Sequence, residues 1–195
     1  MNADFRIMQS SAQEEILMVR SAGGDKEASR SLVESHHPWV YALAFRVFQN
    51  PQAAFETTAA AFSQALKELT PLALQKSFSV LVVEKLIREI NKRYKEGLPE
   101  SSLTFDEELN LAVPVPRERR ALLGMMVAAI KRLSLEERIL LLLRDQAHFP
   151  CEEIAMMTGS SLPAVRKRLS ETRLKMRKFL IQPLESNPTD FGDEV

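Results

Sequence analysis

The stretch CEEIAMMTGSSLPAVRKRLSETRLKMRK, residues 151–178, decides how the rest of the chain is interpreted. Its first part has apolar residues at helical spacing and predicts a short helix over about 151–157. Gly159 can adopt the left-handed conformation that ends a helix. Ser160 or Ser161 can then cap a second helix by accepting a hydrogen bond from its first turn. The pattern therefore predicts two helices joined by a tight turn.

The second helix of this stretch is strongly basic. Between Leu162 and Leu180, seven basic residues stand against one acid. The residues expected to face the core are Leu162, Val165, Leu169, Leu174 and Met176. A short helix, a glycine-containing turn and a basic second helix are typical of the helix-turn-helix, whose second helix lies in the major groove of DNA. Basic amphipathic helices also occur as solvated surfaces, so this stretch alone leaves both interpretations open.

The candidate residues for duplex DNA lie at the start and in the first half of this second helix. They are Ser161, Leu162, Pro163, Ala164, Arg166, Lys167, Arg168, Ser170, Glu171 and Arg173. Basic side chains in this position reach phosphates and base edges. Glu171 lowers the affinity for phosphates, but its carboxylate can accept from a cytosine amino group.

The composition of the 195 residues is that of an ordinary folded protein, with 45% apolar and 27% charged residues. Only six glycines and a helix-rich pattern predict a mostly α-helical chain. The net charge is zero, but its distribution is uneven. Residues 84–95 carry a net charge of +3 and residues 96–118 a net charge of −5. Two basic helices separated by an acidic connector predict two contacts with one long anionic partner.

Several classes of protein are not expected from this sequence. The single Cys151 excludes an internal disulfide and a cysteine-only metal site, and the adjacent His36 and His37 point apart without a third ligand. No signal-peptide core and no apolar run of spanning length occurs, so we expect a cytoplasmic protein without membrane insertion. No phosphate-binding loop or catalytic set is present. We therefore expect neither an enzyme nor a cofactor.

The rest of the chain shows helical patterns separated by breaks at glycine and proline. The predicted helices cover about 13–22, 26–36, 39–48, 51–69, 78–94, 117–133 and 134–145. Asp25 is expected to cap the second of them, and Ser134 with Glu137 has the spacing of a capping box. His36-His37-Pro38 is predicted to be a turn. The helix after Asn50 is expected to carry Phe55, Ala59, Phe62 and Leu66 on one side.

The order of these parts resembles the sigma factors of bacterial RNA polymerase, in the short extracytoplasmic-function form of the sigma-70 family. LSLEERILLLLRD (133–145) is similar to the family's leucine-proline-x-x-x-arginine segment, and residues 152–180 are similar to its helix-turn-helix. In the first half, the similar segments are GDKEASRSLVE (24–34), HPWVYALAFRVFQNPQAAFETTAAAF (37–62) and LIREINKRYK (86–95). The resemblance covers nearly the whole chain.

The resemblance implies an all-α protein of two small helical domains joined by a flexible linker. A first domain at 13–95 would bind core RNA polymerase and the melted minus-ten promoter element. An acidic linker at 96–117 would lead to a helix-turn-helix domain at 118–180, which would bind the minus-thirty-five element as duplex. Residues 181–195 would form a disordered acidic tail.

The resemblance also implies site residues in the first domain. Those on the minus-ten side would be Lys85, Arg88, Asn91, Lys92 and Arg93, with a pocket supplied by the Leu69–Ser77 loop. Those that bind polymerase would be Phe55, Glu56, Ala59 and Phe62. Phe55 and Ala59 stand where the family usually has an acid and a glutamine, and Glu56 where an aspartate is usual. These departures predict a less polar polymerase-binding surface.

Three functions follow as alternatives. The first is a promoter-specificity subunit with core RNA polymerase and promoter DNA as partners and an anti-sigma factor as a further candidate partner. The second is a divergent sigma-like regulator that binds an anti-sigma factor or another protein. The third is a stand-alone transcription regulator that uses only 118–180 to bind DNA.

Overall fold

The chain is helical throughout the part described by the computed structural model, which comprises residues 12–69, 75–97, 124–126 and 128–185. The first domain contains α1 (Ala12–Ala22), α2 (Lys26–Phe48), α3 (Pro51–Lys67) and α4 (Phe78–Lys95). The second contains a helical segment at 124–126 and 128–131, α5 (Leu135–Leu141), a π-helical turn (Leu142–Gln146), α6 (Cys151–Thr158) and α7 (Leu162–Glu185). The predicted all-α class is confirmed.

Local capping signals begin several of these helices where the sequence predicts. The Asp25 carboxylate accepts from the backbone N–H groups of Glu27 at 2.9 Å and Ala28 at 3.1 Å. Ser134 and Glu137 form the predicted capping box, since each side chain accepts from the other residue's backbone N–H, at 3.3 and 2.9 Å. These bonds satisfy amide groups that a helix leaves unpaired in its first turn.

The predicted turn at His36-His37-Pro38 is wrong. α2 continues through Pro38, although a proline inside a helix removes one backbone hydrogen bond and costs about 3 kcal/mol. The helix continues because a buried stripe crosses the proline. Its members are Ala28, Leu32, His36, Val40, Leu43, Ala44, Val47 and Phe48. Burial of this stripe against α1, α3 and α4 offsets the lost bond.

The four residues predicted to share one side of α3 differ in burial. Phe62 is buried and Leu66 is half-buried, but Phe55 and Ala59 face outward. The side that packs against α2 and α4 is one of small residues, namely Ala53, Ala54, Thr57, Thr58, Ala61 and Ala65 with Phe62. Small side chains let the helices approach closely, and the large Phe55 ring is left on the opposite side.

The two domains pack against each other and share one hydrophobic core. The first half of α4 is buried on almost every side because the helix contacts α2 and α3 within its own domain and α6 of the second domain. The rings of Trp39 and Phe149 lie across the domain boundary, with centroids 6.1 Å apart. A narrow apolar cleft in the same boundary is lined by residues of both domains, including Val47, Ile87 and Ile139. The packed arrangement buries apolar surface on both sides.

Some predicted segments fall outside the described residues. These are residues 98–123, which include most of the predicted linker, residues 70–74 of the predicted pocket loop, and residues 186–195. Residues 181–185, predicted to belong to a disordered tail, instead continue α7, which ends at Glu185. None of the helices within the described ranges is long and apolar enough to cross a membrane.

Candidate nucleic-acid interface

The predicted tight turn joins α6 to α7. Gly159 has a φ of 63° and donates its N–H toward the carbonyl oxygens of the last turn of α6, as its predicted role in ending the helix requires. The Ser161 hydroxyl oxygen accepts from the backbone N–H of Ala164 at 3.4 Å, which makes Ser161 the serine that caps α7. The chain therefore forms the short helix, turn and longer helix of a helix-turn-helix.

The side of α7 that faces the domain is set by residues three and four positions apart. Val165, Leu169, Thr172 and Met176 are buried. Leu174, predicted to face the core, is instead exposed, because it lies on the opposite side of the helix from Leu169 and Met176. Leu162 is half-buried and packs at the edge of the main core.

The predicted duplex-binding residues lie on the open side of α7, with Leu162 and Ala164 half-buried at its start. The exposed members are Ser161, Pro163, Arg166, Lys167, Arg168, Ser170, Glu171 and Arg173. Among the described helices, none of the first domain packs closely against α7, whose main helix contacts are with α5 and α6. The packed arrangement of the domains therefore leaves this surface open to a partner.

Four of the cations on α7 are paired with carboxylates of the elements that precede it. On one flank, Arg166 lies 3.0 Å from Glu152 of α6, and Arg173 bonds Asp145 of the π-helical turn. On the other flank, Arg168 pairs with Glu136 and Lys175 with Glu137, both at the start of α5. The hydrogen bond to Asp145 raises the pKa of the Arg173 guanidinium.

The strip of α7 between these two flanks contains few acidic side chains. It includes Lys167, Ser170 and Leu174, all exposed. Lys167 has a weak ion pair with Glu171 of the same helix, at 4.0 Å. In a helix-turn-helix, a recognition helix of this kind presents its central strip to base edges and its basic flanks to the phosphate chains of a major groove.

The predicted minus-ten residues on α4 are only partly on the surface. Arg88, Asn91 and Lys92 are exposed, and Arg93 is half-buried. Lys85 has only 2% of its surface exposed, and its ammonium group bonds the carboxylate of Glu68. The inclusion of Lys85 in a DNA-binding surface is therefore wrong for this arrangement, since its charge is already neutralised inside the protein.

The predicted polymerase-binding residues on α3 also divide into two groups. Phe55, with 56% of its surface exposed, lies beside Ala59 and the half-exposed Glu56. Phe62 is buried between α2 and α4, so it supports the core and does not form part of the surface. Glu56 bonds Arg93 of α4 at 2.8 Å. Hydrogen bonds from Gln52 and Arg93 lower the pKa of the Glu56 carboxyl.

The Glu56–Arg93 pair connects the predicted polymerase-binding surface on α3 with the predicted minus-ten surface on α4. The uncharged patch of Phe55 and Ala59 continues into the basic end of α4. Sequence reasoning missed the pair, because the two residues lie on different helices and only the packing of α3 against α4 brings them together. Among the described residues no group of three or more histidine, cysteine, aspartate or glutamate side chains could hold a metal ion.

The comparisons with known proteins agree with this geometry. Residues 116–176 match the family described as sigma-70, region 4. This part of the chain contains α5, α6 and most of α7. This match agrees with the resemblance inferred from the sequence in the second half of the chain. No curated protein matches the chain.

Two solved structures have a similar fold. One is CnrH in complex with the cytosolic domain of CnrY, with a TM-score of 0.66 and 20% identity over 87% of this chain and 98% of that one. The other is the sigma factor RpoE in complex with the anti-sigma factor NepR from Bartonella quintana, with a TM-score of 0.62 and 14% identity over 82% of this chain and 98% of that one. Both likenesses extend over both helical domains.

Proposed function

We propose that this chain is a transcription initiation factor of the sigma type, which binds core RNA polymerase and directs it to specific promoters. The observation that supports this most directly is the region 4 match over residues 116–176, on a helix-turn-helix whose basic helix is open to solvent. In this function the chain carries out no chemical step. Its task is to bind DNA and polymerase at the same time.

The second domain would hold duplex DNA through α7. In this function Lys167, on the central strip, would contact base edges, and Arg166, on one flank, would contact a phosphate chain. The first domain would hold single-stranded DNA at the end of α4, where Arg88 and Lys92 are exposed. Cationic grooves that follow a backbone are the usual means of binding single strands.

Reading two promoter elements requires the domains to separate. Elements centred near positions minus ten and minus thirty-five are about 25 base pairs apart, or about 85 Å of duplex at 3.4 Å per base pair. A packed chain of this length has a radius of gyration of about 16 Å. We therefore infer that the packed arrangement belongs to the free protein, and that binding polymerase and DNA would open the boundary around Trp39 and Phe149.

The experiment that tests this function is binding of the purified chain to core RNA polymerase, followed by transcription from a promoter library. We expect a complex and start sites that depend on the chain. The double variant Arg166→Ala/Lys167→Ala should bind core normally but lose these start sites. Arg30→Ala, which removes an exposed cation of α2 paired with Glu34, is the matched control and should retain them. A folded chain that does not bind core would refute the proposal.

A regulator that binds another protein is the second candidate function. The exposed, uncharged patch of Phe55 and Ala59 favours it, since large exposed apolar side chains mark protein-binding surfaces. The two similar structures are each complexes with a protein partner, in one case an anti-sigma factor. This candidate predicts a folded chain that fails to bind core polymerase but is captured by a dedicated protein partner through the same patch.

A further inference from the structure

The flanks of α7 are held by four intramolecular ion pairs that connect it to three different elements. Arg166 and Arg173 are tied to α6 and to the π-helical turn, and Arg168 and Lys175 to the start of α5. The pairs lie on both sides of the helix and leave its central strip free. Such an arrangement restrains the cations that would otherwise bind any phosphate chain.

We propose that Glu136, Glu137, Asp145 and Glu152 act as built-in competitors for DNA phosphate, so that α7 binds duplex weakly unless its central strip meets the right bases. The inference rests on the proposed reading of duplex DNA and adds a source of sequence selectivity to it. Each phosphate contact by a flank cation must first displace a carboxylate. On the wrong bases phosphate contacts are nearly all that hold the helix, so this cost removes most of the binding; on the right bases the contacts of the central strip remain.

The positions of the carboxylates suit this role. Glu136 and Glu152 lie in the first turns of α5 and α6, where helix dipoles favour negative charge. Their carboxylates bond Arg168 and Arg166 on the two flanks of α7, so they hold cations that a phosphate chain would otherwise contact. Because Arg166 and Glu152 are both mostly exposed, their pair is weak and can exchange with a phosphate.

The experiment compares two double variants of the full-length chain with the same change in charge. Glu136→Gln/Glu152→Gln releases one cation on each flank of α7. Glu27→Gln/Glu34→Gln removes two exposed acids of α2 in the first domain and is the control. Binding to a random 30-base-pair duplex and to a sequence selected with the wild-type chain is measured at two salt concentrations.

We expect the flank variant to bind the random duplex about 2- to 30-fold more tightly than wild type, since each exposed pair contributes about a factor of 1.4 to 5. Its preference for the selected sequence should fall. The control variant should change neither quantity by more than about twofold. Equal gains in both variants would mean a general effect of net charge, and no gain in the flank variant would mean that the pairs do not compete with phosphate. Either result overturns the inference and leaves the proposed function intact.

A second measurement tests the pairing directly. If Glu152 acts through Arg166, Glu152→Gln should raise affinity in the wild-type chain but not in an Arg166→Ala background. A gain of the same size in both backgrounds would overturn the pairwise mechanism. If neither the wild-type chain nor any variant binds duplex, even in complex with polymerase, the proposed duplex reading fails together with this inference.

Discussion

The guanidinium of Arg138 donates to the carbonyl oxygen of Val47 at 2.9 Å, across the boundary between the two domains and over 91 residues of sequence. Val47 lies in the last turn of α2, where carbonyl groups lack helical partners and the helix dipole favours a cation. The same guanidinium lies within 3.4 and 3.5 Å of the carbonyl oxygens of Lys131 and Leu133. Arg138 therefore joins the end of α2 to the second domain.

We predict that Arg138→Ala opens the domain boundary. It removes a charged hydrogen bond and leaves the Val47 carbonyl without that donor, a change of about 1–3 kcal/mol in the packing of the domains. Trp39 is the single tryptophan and contacts Phe149 across the boundary, so its fluorescence reports opening. We expect a red shift of its emission and a larger radius of gyration by small-angle X-ray scattering.

The control for this prediction is Asp25→Ala. Asp25 also bonds backbone groups, the N–H groups of Glu27 and Ala28 at 2.9 and 3.1 Å, but within the first domain at the start of α2. It should lower the free energy of unfolding without enlarging the folded chain. If Arg138→Ala leaves both the fluorescence and the radius of gyration unchanged, the bond to Val47 does not hold the domains together.

Substitution of two phenylalanines on α3 should affect different properties, polymerase binding for Phe55 and stability for Phe62. Phe55→Ala removes an exposed ring and should change the free energy of unfolding by less than about 0.5 kcal/mol. As a binding hot spot, the ring should contribute about 2 kcal/mol to polymerase binding, so its loss should weaken core binding about 30-fold. Phe62→Ala removes a buried ring and should cost about 3–5 kcal/mol of stability. Denaturant unfolding and a polymerase binding titration measure the two effects. Normal core binding by Phe55→Ala would exclude this patch from the polymerase surface.

Helix ends were predicted well because their signals are local. Gly159, Asp25 and the Ser134–Glu137 pair act on backbone groups within four residues of themselves, so the sequence around each contains the whole cause. Pro38 is the exception. A local rule predicts a break there, but the buried stripe of α2 outweighs it, and that stripe depends on helices far away in sequence.

Side-chain orientation was predicted less well because it depends on which side of a helix has a neighbour. α3 packs through alanines and threonines, which left Phe55 outside, and α7 turns Leu174 away from the core. The first six residues of α4, 78–83, are apolar except for Ser79, and this did contain a signal for a second packing partner, since a segment that is apolar all round is usually buried all round. The sequence could not identify that partner as α6.

Lys85 and Arg88 should behave differently in promoter opening, although both are cations of α4. Lys85→Met keeps the volume of a buried side chain and leaves Glu68 half-exposed to water, so we expect a stability within about 1.5 kcal/mol of wild type and normal strand opening. Arg88→Ala/Lys92→Ala removes two exposed cations and should reduce the unpaired thymines detected by permanganate at the start site. A folded Lys85→Met variant that cannot open promoters would show that Lys85 leaves its buried site to bind DNA.

We expect His36 to make the stability of the first domain sensitive to acid. The ring is 3% exposed, and in its neutral form Nδ1 donates to the Leu32 carbonyl at 2.9 Å while Nε2 accepts from the Ser79 hydroxyl at 3.2 Å. Burial lowers the pKa of His36 below its ordinary value. The hydrogen bond to the Leu32 carbonyl and the charge of the Glu14 carboxylate, 3.7 Å from Nε2, raise the pKa, but burial has the larger effect. In the unfolded chain a histidine has a pKa near 6.5.

The unfolded state therefore binds more protons than the folded state as the pH falls below about 6.5. The free energy of unfolding contributed by His36 is fully present above that pH and is lost as the pH falls, with a slope of at most about 1.4 kcal/mol per pH unit for one proton. Urea unfolding between pH 7.5 and 5.5 should show this slope in wild type. His36→Gln, which cannot titrate, should flatten it, whereas His148→Gln, at an exposed position, should retain it. An unchanged slope in His36→Gln would assign the acid sensitivity to another group.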